Sequence, residues 1–217
     1  QWRYQVHAYP KSALLGAVKT VDETGARGLG DRLTWQIAVG IPHLPAGQHL
    51  DDLTITDPLP ATLAFESASL AVVDAAGAPV ALGEGTHYSL GQTAGTVSLV
   101  FAPAGRTLLE SAGGGEVRLS IVTRLVDIGT GTIENEAAVS LNNASIRGSA
   151  RSLWGAVRIA KTATGSGGPL AGAEFQLFET LTDARAKQNP VSVDLAGTPT
   201  DTFVSDAAGL ATIPGLL

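Results

Sequence analysis

The chain has 217 residues, with Lys+Arg 14 against Asp+Glu 20 and neither cysteine nor methionine. That length accommodates one large or two ordinary domains around a real core. The mildly acidic balance carries no basic stripe and argues against nucleic acid as a partner. No apolar run approaches the ~18 residues of a membrane-spanning helix, and disulfides are excluded as staples.

In chain order the pattern is almost entirely β. Trp2, Tyr4 and Val6 alternate as one face of a strand. Pro10 ends that strand and leaves Lys11 on a stiff, exposed connection. Short runs rich in Val, Ile, Leu and Thr then predict strands over 14–21, 32–41, 53–57, 67–73, 96–101, 116–125 and 132–141. A helical turn is predicted over 107–112, before the break at Gly113-Gly114-Gly115. Short strands with frequent turn signals predict a β-sandwich of immunoglobulin-like architecture over 12–150. The polar stretch 142–152, short of β-branched residues, reads as the domain boundary. A second pattern follows over 151–217, opening with Val157-Arg158-Ile159-Ala160-Lys161-Thr162 and continuing through a Gly-rich turn to Pro169-Leu170-Ala171-Gly172-Ala173.

Residues two apart in a strand share a face, and three polar residues thereby fall in apolar rows. Lys19 stands with Leu15, Ala17 and Val21; Asp57 with Leu53, Ile55 and Leu59; Asn135 with Ile133, Ala137, Val139 and Leu141. Each alone has an ordinary reading: a lysine snorkelling to solvent, a turn aspartate before proline, an asparagine at a strand edge or bulge. Buried separately they would be costly, at several kcal/mol per ion; buried together they make a reaction possible. Desolvation lowers the pKa of the amine and raises that of the acid. A neutral amine can attack the carboxamide carbon while the protonated acid polarises its oxygen. Ammonia leaves and a Lys–Asn amide remains. Fixed proximity supplies the effective concentration. The event occurs once per molecule, so no enzyme with turnover is implied.

The opening W-x-x-x-V-x-A-Y-P-K, formed by Trp2, Val6, Ala8, Tyr9, Pro10 and Lys11, resembles the pilin motif of major shaft pilins in sortase-assembled Gram-positive pili, with Ala8 where a second valine is common. The resemblance implies that Lys11 is the amine joined by a class C sortase to the sorting-motif threonine of the next subunit. The order Lys19, Asp57 within T-D-P-L-P, Asn135 resembles the Cna-A-like domain of those pilins, and implies an intramolecular isopeptide bond with Lys19 as nucleophile, Asp57 as acid and Asn135 as acceptor. Such a bond, treated like a disulfide over that loop length, is worth roughly 5 kcal/mol, and it would bear tension entering near Lys11. The segment after 151 resembles the first part of a Cna-B-like (prealbumin-like) domain. Lys161 matches that domain's isopeptide lysine, and its acid and Asn partners are not in the chain. The family's later Glu-containing box, terminal Asn strand and LPXTG-type signal are expected beyond Leu217.

The resemblance thus implies an extracellular, cell-wall-anchored pilus, with neighbouring pilin subunits and the sortase as partners. The alternative is an adhesin module of the cell wall or pilus tip, binding a host or bacterial surface ligand. No cofactor is expected. His7, His43, His49 and His87 lack any zinc-ligand spacing. Asp51-Asp52 and Thr182-Asp183 read as solvated loop residues, not metal ligands, and no nucleophile elbow or phosphate-binding loop is present.

Overall fold

A computed structural model of the chain describes residues 16–217. The segment holding Trp2, Val6, Tyr9, Pro10 and Lys11 lies outside the described residues.

The first nine strands are β1 (Ala17–Asp22), β2 (Arg32–Gly40), β3 (Leu53–Pro58), β4 (Leu63–Val73), β5 (Tyr88–Thr93), β6 (Thr96–Phe101), β7 (Glu116–Leu125), β8 (Thr132–Leu141) and β9 (Ala144–Leu153). They form two antiparallel sheets, β1-β2-β7-β4 and β5-β6-β3-β8-β9. The two layers enclose one core, as the immunoglobulin-like reading requires. Alternation builds it directly: Leu33, Trp35, Ile37 and Val39 of β2 face Leu53 and Ile55 of β3, Leu99 of β6 and Val139 of β8 across the interior. Helix α1 (Pro103–Ser111) connects β6 to β7. It starts four residues before the predicted turn because Pro103 suits the first helical position, where no N–H is needed. Gly105 is required in it, since a Cβ there would lie 2.0 Å from the carbonyl oxygen of His87.

Two strands escape the sequence pattern. β5 contains Gly91 and little that is β-branched; it pairs with β6 through the turn Ala94-Gly95, both at positive φ. β9 occupies the stretch that reads as a boundary. It pairs with β8 over its whole length, from Thr132↔Leu153 to Leu141↔Ala144, through the positive-φ turn Asn142-Asn143. The first sandwich therefore runs past residue 150, and the chain passes into the second unit at Trp154, not within 142–152.

The second unit comprises β10 (Gly155–Ala160), β11 (Glu174–Phe175), helix α2 (Leu181–Ala186), β12 (Val193–Leu195), β13 (Thr198–Thr200), β14 (Phe203–Val204) and β15 (Leu210–Leu216). Its strands pair two by two, β10 with β15, β11 with β14 and β12 with β13. Its core is small: Val191, Val193, Phe203 and Ile213. Among the described residues no helix is long and apolar enough to cross a membrane.

Candidate functional site

The three polar residues in apolar rows are all buried: Lys19 at 5% exposure, Asp57 at 0% and Asn135 at 1%. Their strands explain why they meet. β3 and β8 are neighbours in the five-stranded sheet, with pairing from Leu53↔Leu141 to Thr56↔Ala138. Asp57 and Asn135 follow just beyond that last pair, each continuing its strand's core-facing row. Lys19 approaches from the opposite sheet, where β1, among the described residues, is an edge strand paired only with β2. The other edge of that gap is β9, which comes against β1 at Gly148: a Cβ built there would lie 3.4 Å from Lys19 Cβ. The lysine thus enters the interlayer space where the two sheets nearly close on each other.

Lys19 Nζ donates to Asp57 Oδ2 at 2.5 Å, with both side chains wholly excluded from solvent. The ammonium also lies 5.6 Å from the ring centroid of Trp35, within cation–π range. Burial dominates the electrostatics of the pair. It lowers the Lys19 pKa against the opposing charge and hydrogen bond of Asp57. It raises the Asp57 pKa against Lys19 and, more weakly, Asn135. Both groups move toward their uncharged forms, amine and carboxylic acid.

Asn135 is the unsatisfied member. Its amide is near enough to Asp57 to act on that carboxyl's pKa in the lowering direction, yet among the described residues neither Oδ1 nor Nδ2 has a partner of hydrogen-bond geometry, and Asp57 Oδ1 has none either. Buried polar atoms without partners each cost about 1–3 kcal/mol, so three gathered in one chamber require a reason. A neutral amine, a protonated acid and a free carboxamide together are the components of amide exchange.

Two further residues shape the chamber. Trp35 is fully buried and its Nε1–H donates to Thr123 Oγ1 at 3.0 Å, which fixes the indole that Lys19 lies over. The Thr123 hydroxyl in turn donates to the Leu33 carbonyl at 3.4 Å. Sequence reasoning passed over both, although the signal was present: Thr123 stands in the row Val117, Leu119, Ile121, Leu125, the same kind of polar intruder as the other three.

The remaining candidates lie apart. Lys161 is exposed at the end of β10, where its backbone bonds to Gly209 and Leu170. The Asp52 carboxylate accepts from Ser140 Oγ and the Asn143 N–H. Asp183 accepts from the Asn189 side chain beside its helix cap at Thr180. Among the described residues no group of three or more metal-ligating side chains gathers.

No family model matches the chain. It is 24% identical over 202 residues to fimbrial subunit type 2 of Actinomyces naeslundii, an alignment covering 82% of this chain and 37% of that protein. It is 29% identical over 130 residues to fimbrial subunit type 1 of Actinomyces viscosus, covering 56% of this chain and 24% of that protein. The chain therefore spans well under half the length of both relatives. In fold it is similar to the major pilin SpaA of Corynebacterium diphtheriae, with TM-score 0.75 at 23% identity over 97% of this chain and 56% of that one. That structure is described as pointing to a modular pilus assembly with stabilising isopeptide bonds.

Proposed function

We propose that this chain is a segment of the shaft subunit of a covalently polymerised surface pilus, and that its first sandwich forms an internal amide between Lys19 and Asn135. Similarity to fimbrial subunits and a major-pilin fold support the first part. The second is carried by one observation: a buried amine and carboxyl, both driven toward neutrality, beside a carboxamide with no partner among the described residues.

The neutral Lys19 amine attacks Asn135 Cγ while the Asp57 carboxylic acid hydrogen-bonds the carboxamide oxygen. A bond forms between Nζ and Cγ, and the carbonyl oxygen takes up charge that the acid stabilises. Asp57 then relays one amine proton to Nδ2, the Cγ–Nδ2 bond breaks, and ammonia leaves. The acid ends as it began. Burial of all three side chains away from solvent favours the neutral reactants and keeps hydrolysis from competing.

The product would tie β1, an edge strand, to β8 in the opposite sheet. A pull on the chain ahead of β1 would otherwise peel β1 from β2 one hydrogen bond at a time. With the cross-link, the load passes into β8, an interior strand of the five-stranded sheet held between β3 and β9. That is a mechanical substitute for disulfides in a chain without cysteine. In the same reading Lys11 accepts the sorting-motif threonine of a neighbouring subunit through a class C sortase, and the fibre is anchored to the cell wall.

The test is the intact mass of the denatured protein. A mass one ammonia below the calculated value, returning to the calculated value in Asn135→Ala, is the expected result. A full mass in the native protein would remove the cross-link from the reading and leave the fimbrial similarity alone.

A further inference from the structure

The junction between the two units is built for close contact at more points than a linker needs. The connection itself is short. Trp154 is 5% exposed and plugged into the first core, and its N–H donates to the Gly131 carbonyl at 2.7 Å before β10 begins at Gly155. A second tie comes from the loop between β1 and β2. Asp31 shapes that loop by accepting from the N–H groups of Arg27 and Gly28 at 2.7 and 2.9 Å. Reciprocal bonds clamp its far end to β7, Gly30 N–H to Leu125 O and Leu125 N–H to Asp31 O. From this rigid base Leu29 packs against both hydrophobic cores.

Three glycines mark the fit. A Cβ on Gly28 would lie 2.4 Å from Val193 Cγ1, one on Gly30 2.6 Å from Asp194 Cβ, and one on Gly215 2.4 Å from Leu29 Cγ. Each of these contacts crosses from one unit to the other. The Asp194 N–H donates to the Leu29 carbonyl at 2.7 Å, and Arg27 and Glu179 form an ion pair across the same seam.

We infer that the β1–β2 loop is a latch that locks the second unit onto the first, so that the two behave as one rigid body, with Leu29 completing the second unit's core. The second unit needs such support: its own buried cluster is Val191, Val193, Phe203 and Ile213, too small to hold paired ribbons of two to seven residues unaided. The latch also gives a second path for load, from the end of β1 directly into β12, in parallel with Trp154. This inference does not depend on the Lys19–Asn135 bond.

The test uses the full chain and hydrogen exchange at the Asp194 amide, whose acceptor is in the other unit. Gly28 has no left-handed φ, so Gly28→Ala acts only through its added Cβ. The expected result is loss of Asp194 protection in Gly28→Ala with Ile37 in the first core unaffected, and partial recovery in Gly28→Ala/Val193→Ala, which removes the opposing Cγ1. If Val193→Ala by itself strips the second unit of protection, the ion pair replaces it: Arg27→Glu and Glu179→Arg each lower Asp194 protection, and the double reversal restores it. Unchanged protection in Gly28→Ala, or effects that simply add in the charge-reversal cycle, would overturn the latch.

Discussion

Lys19 Nζ and Asp57 Oδ2 lie 2.5 Å apart with no solvent access to either side chain, joining an edge strand of one sheet to the middle strand of the other. An ion pair so buried is a weak source of stability, because desolvation of both charges offsets most of their attraction. The arrangement is better understood through what it does to Asn135.

Asp57→Asn keeps the shape of the side chain and removes the acid. Without general acid–base help the amide exchange is expected to slow by about 10²–10⁴-fold. Freshly purified Asp57→Asn should therefore carry the full mass and lose ammonia only slowly on storage. Prompt ammonia loss at the native rate would show that Asp57 is not the proton carrier.

Removing the cross-link should cost stability through the unfolded chain. Asn135→Ala is expected to be about 5 kcal/mol less stable than the cross-linked protein. At about 2–4 °C per kcal/mol for a chain of this size, calorimetry should show a melting temperature lower by roughly 10–20 °C. A difference of only a degree or two would mean that the bond is absent or mechanically idle.

The pH dependence of Asn135→Ala follows from the two shifts. The Lys19 pKa is lowered from 10.5, so below that value the folded state holds fewer protons than the unfolded state. Stability accordingly rises with pH from the folded pKa up to 10.5. The Asp57 pKa is raised from 3.8, so the folded state holds more protons above that value, and stability falls as pH rises from 3.8 through the folded pKa. The variant should therefore lose stability as pH rises from the acid side, regain it toward 10.5, and be least stable at intermediate pH. In the cross-linked protein Lys19 is an amide, and the alkaline rise should vanish. Denaturant titrations of both proteins across the range check this; the same alkaline rise in both would contradict it.

Thr123→Val conserves shape but leaves the Trp35 Nε1–H buried without an acceptor. The expected cost is about 1–3 kcal/mol, seen as a lower melting temperature, while the mass still falls by one ammonia. Failure to cross-link would assign Thr123 a direct part in the chemistry, through the indole on which Lys19 rests.

Lys11→Arg tests polymerisation. The exposed amines that could compete are Lys161 and Lys187, since Lys19 is buried. Incubation with a class C sortase and a sorting-motif peptide should label the native chain at Lys11 and leave Lys11→Arg unlabelled. Labelling of Lys161 or Lys187 at an equal rate would place the acceptor elsewhere.

The sandwich and the content of its core were legible in the order of residues, because strand alternation has a period of two and a side chain cannot change face without the whole register slipping. For the same reason that order placed Lys19, Asp57 and Asn135 on buried faces, and Thr123 was legible by the same rule. β9 was not legible: Ala144, Ser145, Gly148 and Ser149 have little strand preference, and only β8, which offers a full edge to pair with, makes them a strand. Nor did alternation say that the three polar residues share one chamber, since that depends on β3 and β8 being neighbours and on β1 facing them across the layer. The junction shows the same division. Gly28, Gly30 and Gly215 are spaced like any turn glycines in the sequence, and only the docking of two units reveals that a single methyl at each would fill space already occupied. Facing is a local property of the chain, whereas adjacency between distant strands is decided by how the sheets assemble.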